Sequence, residues 1–227
     1  MARRILNTAG ERVSDMSDAP VVYGAPSSVY VRTVRLVLEE KGVPYRLVPV
    51  DVFAVGGPPV EYLARHPFGR IPAFENRGFR LYETGAITRY VDEAFAGPSL
   101  QPGSPEDRAK INQVLGILDS YAYRTLVWDI YVERVSAPKR GRRTDEAVIA
   151  AALPRAAVCL SALADIMGAG PFLTGPALTL ADLHAAPMFA YFRQTAEAGA
   201  LLAGRDRLLQ WWERMAGRAS MVATEVG

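Results

Sequence analysis

The residues of this chain that could do chemistry lie in three short stretches of its first half. One is Gly24-Ala25-Pro26-Ser27-Ser28, where a turn delivers two serines to the start of a helical pattern. Serine in that place caps a helix by accepting a backbone N–H. Another is His66-Pro67-Phe68-Gly69-Arg70-Ile71-Pro72-Ala73-Phe74. A proline opening a strand removes a ladder donor and fixes φ, and an X-Pro bond gives up only about 0.5–1 kcal/mol in becoming cis. Such a bend turns the backbone N–H and C=O of Ile71 outward as an edge for an extended peptide. The third is Tyr82-Glu83-Thr84, which opens a helix whose apolar positions Ala86, Ile87, Tyr90, Val91 and Ala94 recur at three- and four-residue spacing. Its free N–H groups form an anion site.

Other chemistries lack their residues. His66 and His184 are the only histidines, and neither has a second His or Cys at metal-ligand spacing, so no metal is expected. A Ser-His-Asp arrangement through Ser28 would lack the Gly-x-Ser-x-Gly elbow. His184 is expected to pack beneath a helix cap at Thr179, and the cluster Lys139-Arg140-Gly141-Arg142-Arg143 to be a solvated loop between helices. Lys plus Arg number 26 against 24 Asp plus Glu, a net charge of +2, too balanced for the basic field of a nucleic-acid partner. The single cysteine, Cys159, allows no intrachain disulfide and no cysteine cluster, which fits a reducing cytoplasm. No apolar run reaches the 18 or so residues of a membrane span, and nothing marks the chain for export.

The elements that position these residues follow in order. With 227 residues, 50% of them hydrophobic and 22% charged, the chain can build one large or two small cores. Residues 1–19 are polar and unpatterned and read as a disordered leader. Pro20 to Gly24 reads as a strand, the stretch from Ser28 to the Gly42 stop as a helix, and Tyr45 to Val52 as a second strand, parallel to the first through a right-handed crossover. A helical turn at Val60 to Arg65, a hairpin from Pro72 to Tyr82 and the helix from Thr84 complete a four-stranded mixed sheet with helices on its faces. After a Gly/Pro linker the chain is helical only. A long helix runs from the Ser104 cap to about Val135. A second runs from Arg142 to Met167 with a kink at Pro154, a third opens at Thr179 with Asp182 three residues on, and a last spans Asp206 to Ala216.

This organisation resembles the cytosolic glutathione transferase family. The resemblance is carried by Val22-Tyr23-Gly24 with Ser28 and Arg32, by Pro67 to Phe74, by Tyr82-Glu83-Thr84-Gly85-Ala86-Ile87 and by Leu178 to Leu183, and it spans roughly Val21 to Ser220. Among its classes the chain is most similar to the serine-type ones, above all phi and its bacterial relatives. The resemblance implies a thioredoxin-like domain over 20–97, a linker over 98–105 and an all-helical substrate domain over 106–227. It implies a homodimer that takes glutathione as co-substrate, without a metal, and conjugates it to a small hydrophobic electrophile. A glutathione-dependent peroxidase, and a non-catalytic ligand-binding or assembly protein of the same fold, are the alternatives.

The same resemblance assigns roles to residues. A thiol of pKa about 8.5 is only a few per cent thiolate at neutral pH, and the thiolate is the nucleophile. Ser28 would donate its hydroxyl to that thiolate, with Ser27 as the competing candidate. Ile71, beside Pro72, would pair with the cysteinyl unit, Glu83 and Thr84 would hold the γ-glutamyl end, and Arg70 would face a carboxylate. The loop Ala54 to Pro59 lacks the basic residues that phi-class sequences place there, so either another cation such as Arg35 meets the glycyl carboxylate or affinity for glutathione is weak. The electrophile would lie on the aromatic segment Tyr121, Tyr123, Trp128 and Tyr131, with Tyr121 and Trp128 as the chosen contacts. Phe68 would enter the partner subunit.

Overall fold

The computed structural model describes residues 18–225, so all but the last two positions of the expected leader lie outside the described residues. β1 (Val21–Tyr23) leads to α1 (Val29–Glu40), and α1 returns the chain to β2 (Arg46–Val48), parallel to β1. Ser28 caps α1 by accepting the Val31 N–H, and Gly42 at φ +65° follows its end. β2 is shorter than the expected Tyr45 to Val52 because Pro49 has no N–H to continue the ladder. After α2 (Val60–Leu63), β3 (Ala73–Asn76) and β4 (Phe79–Tyr82) form a hairpin whose two loop residues, Arg77 and Gly78, both have positive φ, the twist that two-residue hairpins favour. The sheet order is β2-β1-β3-β4, and α3 (Thr84–Ala94) closes this half.

The linker is pinned. Lys41 and Asp92 form a buried ion pair at 3.1 Å, and the Lys41 ammonium also donates to the Pro98 carbonyl at 3.0 Å. Asp92 in turn accepts the Leu100 N–H at 2.9 Å. A charge pair this dry is tolerated because nearly every lone pair and proton on it is used.

In the second half α4 (Pro105–Ile117), capped by Ser104, passes without a break into a segment of wider π winding, Leu118–Ser136, and then into α5 (Ala137–Lys139). The Ala137 N–H bonds to the Val132 carbonyl five residues back. α6 (Glu146–Met167) starts later than Arg142 because Asp145 supplies the cap, accepting the Ala147 and Val148 N–H groups. Pro154 lies inside it. This alanine-rich helix is long and apolar enough to cross a membrane by composition alone, and it packs against the π segment. α7 (Leu180–Phe192), α8 (Ala196–Leu202), α9 (Asp206–Ala216) and α10 (Ala219–Ala223) follow. α8 and α10 were not expected from the sequence, since five to seven residues carry too little periodicity to declare a helix.

α7 runs through the middle and is buried on nearly every side. Its N-terminus is a full capping box between Thr179 and Asp182. The Asp182 carboxylate also accepts the Leu173 N–H at 2.8 Å and the Trp211 indole N–H at 2.9 Å, joining α7 to the preceding loop and to α9. One continuous core runs from Val22, Val34 and Ile87 through Leu118 to Leu183 and Phe189, so the two halves share their interior.

Candidate functional site

Strand register assembles the site. Tyr23 pairs with Val48 on one side and Ala73 on the other, and Ala73 pairs with Tyr82. The turn after Gly24, the loop after Val48, the segment before Ala73 and the start of α3 therefore gather at one end of the sheet. Gly24 permits the closest of these approaches: at φ +150°, a Cβ there would overlap Val31 and lie 3.0 Å from Cβ of Ile71. The Ile71–Pro72 peptide is cis. The Arg70 carbonyl accepts the Tyr62 hydroxyl at 2.7 Å, and burial pushes Tyr62 up to about 12, so this phenol stays a donor.

Ser28 is half-buried at the N-cap of α1, and Ser27 beside it is exposed. The Ser28 Oγ accepts the Val31 N–H at 3.4 Å and donates to no acceptor among the described residues. Its proton is therefore available to an anion lying over the start of α1. The Ser27 carbonyl accepts the Tyr191 hydroxyl, which ties this turn to α7.

Glu83 is the N-cap of α3 with φ +70° and ψ 115°, a conformation costly for a residue with a side chain. The Glu83 carboxylate makes no cap bond and stays exposed, while Thr84 behind it is buried. Strain of this kind is retained where the backbone must present N–H groups and a side chain in one direction.

A cleft of ≈ 930 Å³ opens beside these residues, between the sheet end and the π segment. Ser27, Ser28, Tyr30, Arg70 and Ile71 lie on its first wall, with Asp51 and Phe53 from the loop after β2. Tyr123, Val127, Trp128, Tyr131, Val132, Ser136, Arg140 and Tyr191 form the second wall. The two walls meet where Phe53 and Trp128 stand edge to face at 6.2 Å and Tyr30 lies against Tyr123 at 4.5 Å. Glu83, Thr84 and Pro72 adjoin the sheet end but do not line this cleft. Among the described residues no group of three or more His, Cys, Asp or Glu is placed to hold a metal ion.

Several expectations need correction. Tyr121 is 63% exposed and stands outside the cleft, whereas Trp128 lines it. In an α-helix residues seven apart share a face, but i→i+5 winding turns the chain less per residue, so Tyr123 and Tyr131 join Trp128 instead. Arg35 cannot meet a ligand here, because its guanidinium is turned to the Tyr45 hydroxyl and the Thr224 carbonyl. The cluster Lys139 to Arg143 is exposed as expected, and Arg140 within it also borders the cleft. His184 does not sit under the Thr179 cap, where Asp182 does that work. Its Nε2 is 2.7 Å from Asp119, within a group that includes Tyr30. Burial pushes the Asp119 carboxyl up, but hydrogen bonds from His184 and Tyr30 together hold it below its ordinary value.

Comparison with known proteins follows the same division of the chain. The family model described as Glutathione S-transferase, N-terminal domain, matches residues 22–99, and that described as Glutathione S-transferase, C-terminal domain, matches residues 146–214. Glutathione S-transferase F10 of Arabidopsis thaliana is 30% identical over 81% of this chain and 86% of its own length. The crystal structure of glutathione transferase F7 from Populus trichocarpa shares 29% identity and a TM-score of 0.78, covering 91% of this chain and 97% of that one. Glutathione S-transferase I from mais, in complex with an atrazine glutathione conjugate, shares 25% identity and a TM-score of 0.79, covering 91% and 96%. With both halves matched in chain order and relatives of the plant phi class along nearly its whole length, the chain belongs to the glutathione S-transferase family.

Proposed function

We propose that this transferase activates the thiol of glutathione at Ser28 and conjugates it to a hydrophobic electrophile held on the π segment. The observation that carries the reading is the Ser28 hydroxyl, which accepts from Val31 and keeps its own proton free at a helix start facing the cleft. A donor and a helix N-terminus both favour a thiolate over a thiol. In the reaction the sulfur of the thiolate forms a bond to the electrophilic carbon. The leaving group departs with its bonding pair, and the thiol proton passes to solvent. The apolar and aromatic second wall excludes water and positions the electrophile by contact area.

Glutathione itself would bind as an extended peptide. Ile71 offers its backbone to the cysteinyl unit, Arg70 offers a planar cation, and Glu83 and Thr84 take the γ-glutamyl amine and carboxylate. Glu83→Ala should raise the glutathione dissociation constant about tenfold, through loss of one charge-assisted hydrogen bond at a partly exposed site. Isothermal titration checks it. Affinity equal to that of the parent would remove Glu83 from the site. The working compartment in this reading is the cytoplasm, where reduced glutathione is abundant.

The reading includes a two-fold dimer. Phe68 is 70% exposed, its ring T-shaped to those of His66 and Tyr82 at centroid separations of 6.3 and 6.1 Å. An aromatic ring on that turn has no core of its own to enter. Seated in a second copy it would be buried twice by symmetry, each burial worth about 1.5–3 kcal/mol. Phe68→Ala should then weaken dimerisation on the order of a hundredfold, measured by sedimentation at low micromolar concentration. A variant that dissociates no more readily than the parent would leave Phe68 without that role.

A further inference from the structure

We infer that the electrophile this enzyme prefers carries an anionic group, a carboxylate or its like, which Arg140 receives on the helical wall of the cleft. The inference rests on the conjugation reading above and names its substrate class. Arg140 is the single charged residue of the helical wall, where every other contributor is apolar, aromatic or a hydroxyl. It follows α5 as the C-cap, with its N–H bonded to the Ala137 carbonyl, so its backbone is held while the guanidinium stays exposed.

The carboxylates of the flanking helical segments have partners of their own. Glu133 pairs with Arg142 at 2.6 Å, and Glu146 and Glu197 both pair with Arg134 at 2.6 Å. Asp145 caps α6. Among the described residues Arg140 has no ion-pair partner, whereas Arg134 and Arg142 on either side of it in the sequence do. On the opposite wall the Asp51 Oδ1 accepts the Phe53 N–H at 2.8 Å, and Arg70 belongs to the peptide end.

Neighbouring side chains connect the turn at Ser27 to Arg140 along this wall. Ser27 bonds Tyr191, Tyr191 lies on Tyr131 at 4.5 Å between ring centres, and Arg140 acts electrostatically on Tyr131. An electrophile whose reactive carbon lies near Ser28 would pass Tyr131 and Val132 with its apolar body. Its far end would then reach Ser136 and Arg140, a hydroxyl donor and a planar fork suited to a carboxylate.

The test compares 4-chloro-3,5-dinitrobenzoate with its methyl ester, which share ring and leaving group and differ in charge. In each the glutathione sulfur bonds to the ring carbon, chloride leaves with the carbon–chlorine pair, and the thiol proton goes to solvent. Each kcat/KM is divided by the uncatalysed rate, and the parent should favour the acid over the ester. Arg140→Gln should collapse that ratio about tenfold, the low end for a hydrogen bond to a charged group, and Arg140→Lys should retain part of it. Rising salt should erode the ratio in the parent and not in Arg140→Gln. An unaltered ratio in Arg140→Gln overturns the proposal. So does an equal rise in the glutathione KM with both electrophiles, which would put the guanidinium on glutathione instead. Calorimetry with the two finished conjugates makes the same comparison without turnover. Absence of any turnover would sink the conjugation reading, while the conjugate affinities would still decide for or against Arg140.

Discussion

Replacing Ser28 by alanine should cut the rate of conjugation at neutral pH by about 10- to 100-fold and shift its pH profile to higher pH, with glutathione affinity little changed. A hydrogen bond to a charged group contributes about 1.5–3 kcal/mol, and one pKa unit corresponds to about 1.4 kcal/mol, so losing the donor raises the bound thiol by about one to two units. The sign follows from the thiol being an acid whose ionised form reacts. With the Ser28 donor in place the thiolate should already be formed near neutrality. In the variant it forms only as pH approaches the free-thiol value of about 8.5, where the two rates converge. The measurement is kcat/KM against pH for an aryl halide, with thiolate absorbance of the binary complex as a second readout. Ser28→Thr, which keeps both hydroxyl and cap, should recover most of the rate. The lost cap alone costs about 1 kcal/mol of stability, too little to unfold a domain of this size and unable to move a pH profile. Full turnover in Ser28→Ala, or an equal loss in Ser27→Ala, would take the role away from Ser28.

Asp182→Ala should be the most destabilising single change in the helical half. The Asp182 carboxylate has no exposed surface and accepts from the Leu173 N–H, the Thr179 N–H, the Thr179 hydroxyl and the Trp211 indole. Burial pushes its carboxyl above the ordinary range against the pull of those donors. Alanine leaves these buried donors without their carboxylate partner, and each buried orphan costs about 1–3 kcal/mol. A loss of about 4 kcal/mol or more lowers the melting midpoint by on the order of 10 °C for a chain of this length. Thr179→Ala, which removes only the cap hydroxyl, should cost about 1 kcal/mol. Scanning calorimetry of the three proteins compares them directly. A midpoint for Asp182→Ala within 3 °C of the parent, on the order of 1 kcal/mol by the same conversion, would mean that α7 finds other partners for those donors.

Most of the fold was legible because its punctuation is local. The Ser28 cap, the Gly42 stop, the Arg77-Gly78 hairpin and the Thr179–Asp182 capping box each act within a few residues, through donors and dihedrals that a sequence states outright. Those signals order the elements, and the order brings the loops after β1 and β2, the segment before β3 and the start of α3 to one sheet end. What the sequence could not determine is rotation about long axes and contact across the interior. Tyr121 and Trp128 share a face in an α-helix. The π winding of Leu118–Ser136 separates them and turns Tyr123 and Tyr131 into the cleft. The segment packs on α6 and α7, contacts that no pattern within it announces. For the same reason the surroundings of Arg35 and Arg140 were not legible. A cation's role depends on which carboxylates, carbonyls and phenols the fold brings near it, and the C-terminal helix occupies Arg35 while the ion pairs of Arg134 and Arg142 leave Arg140 open.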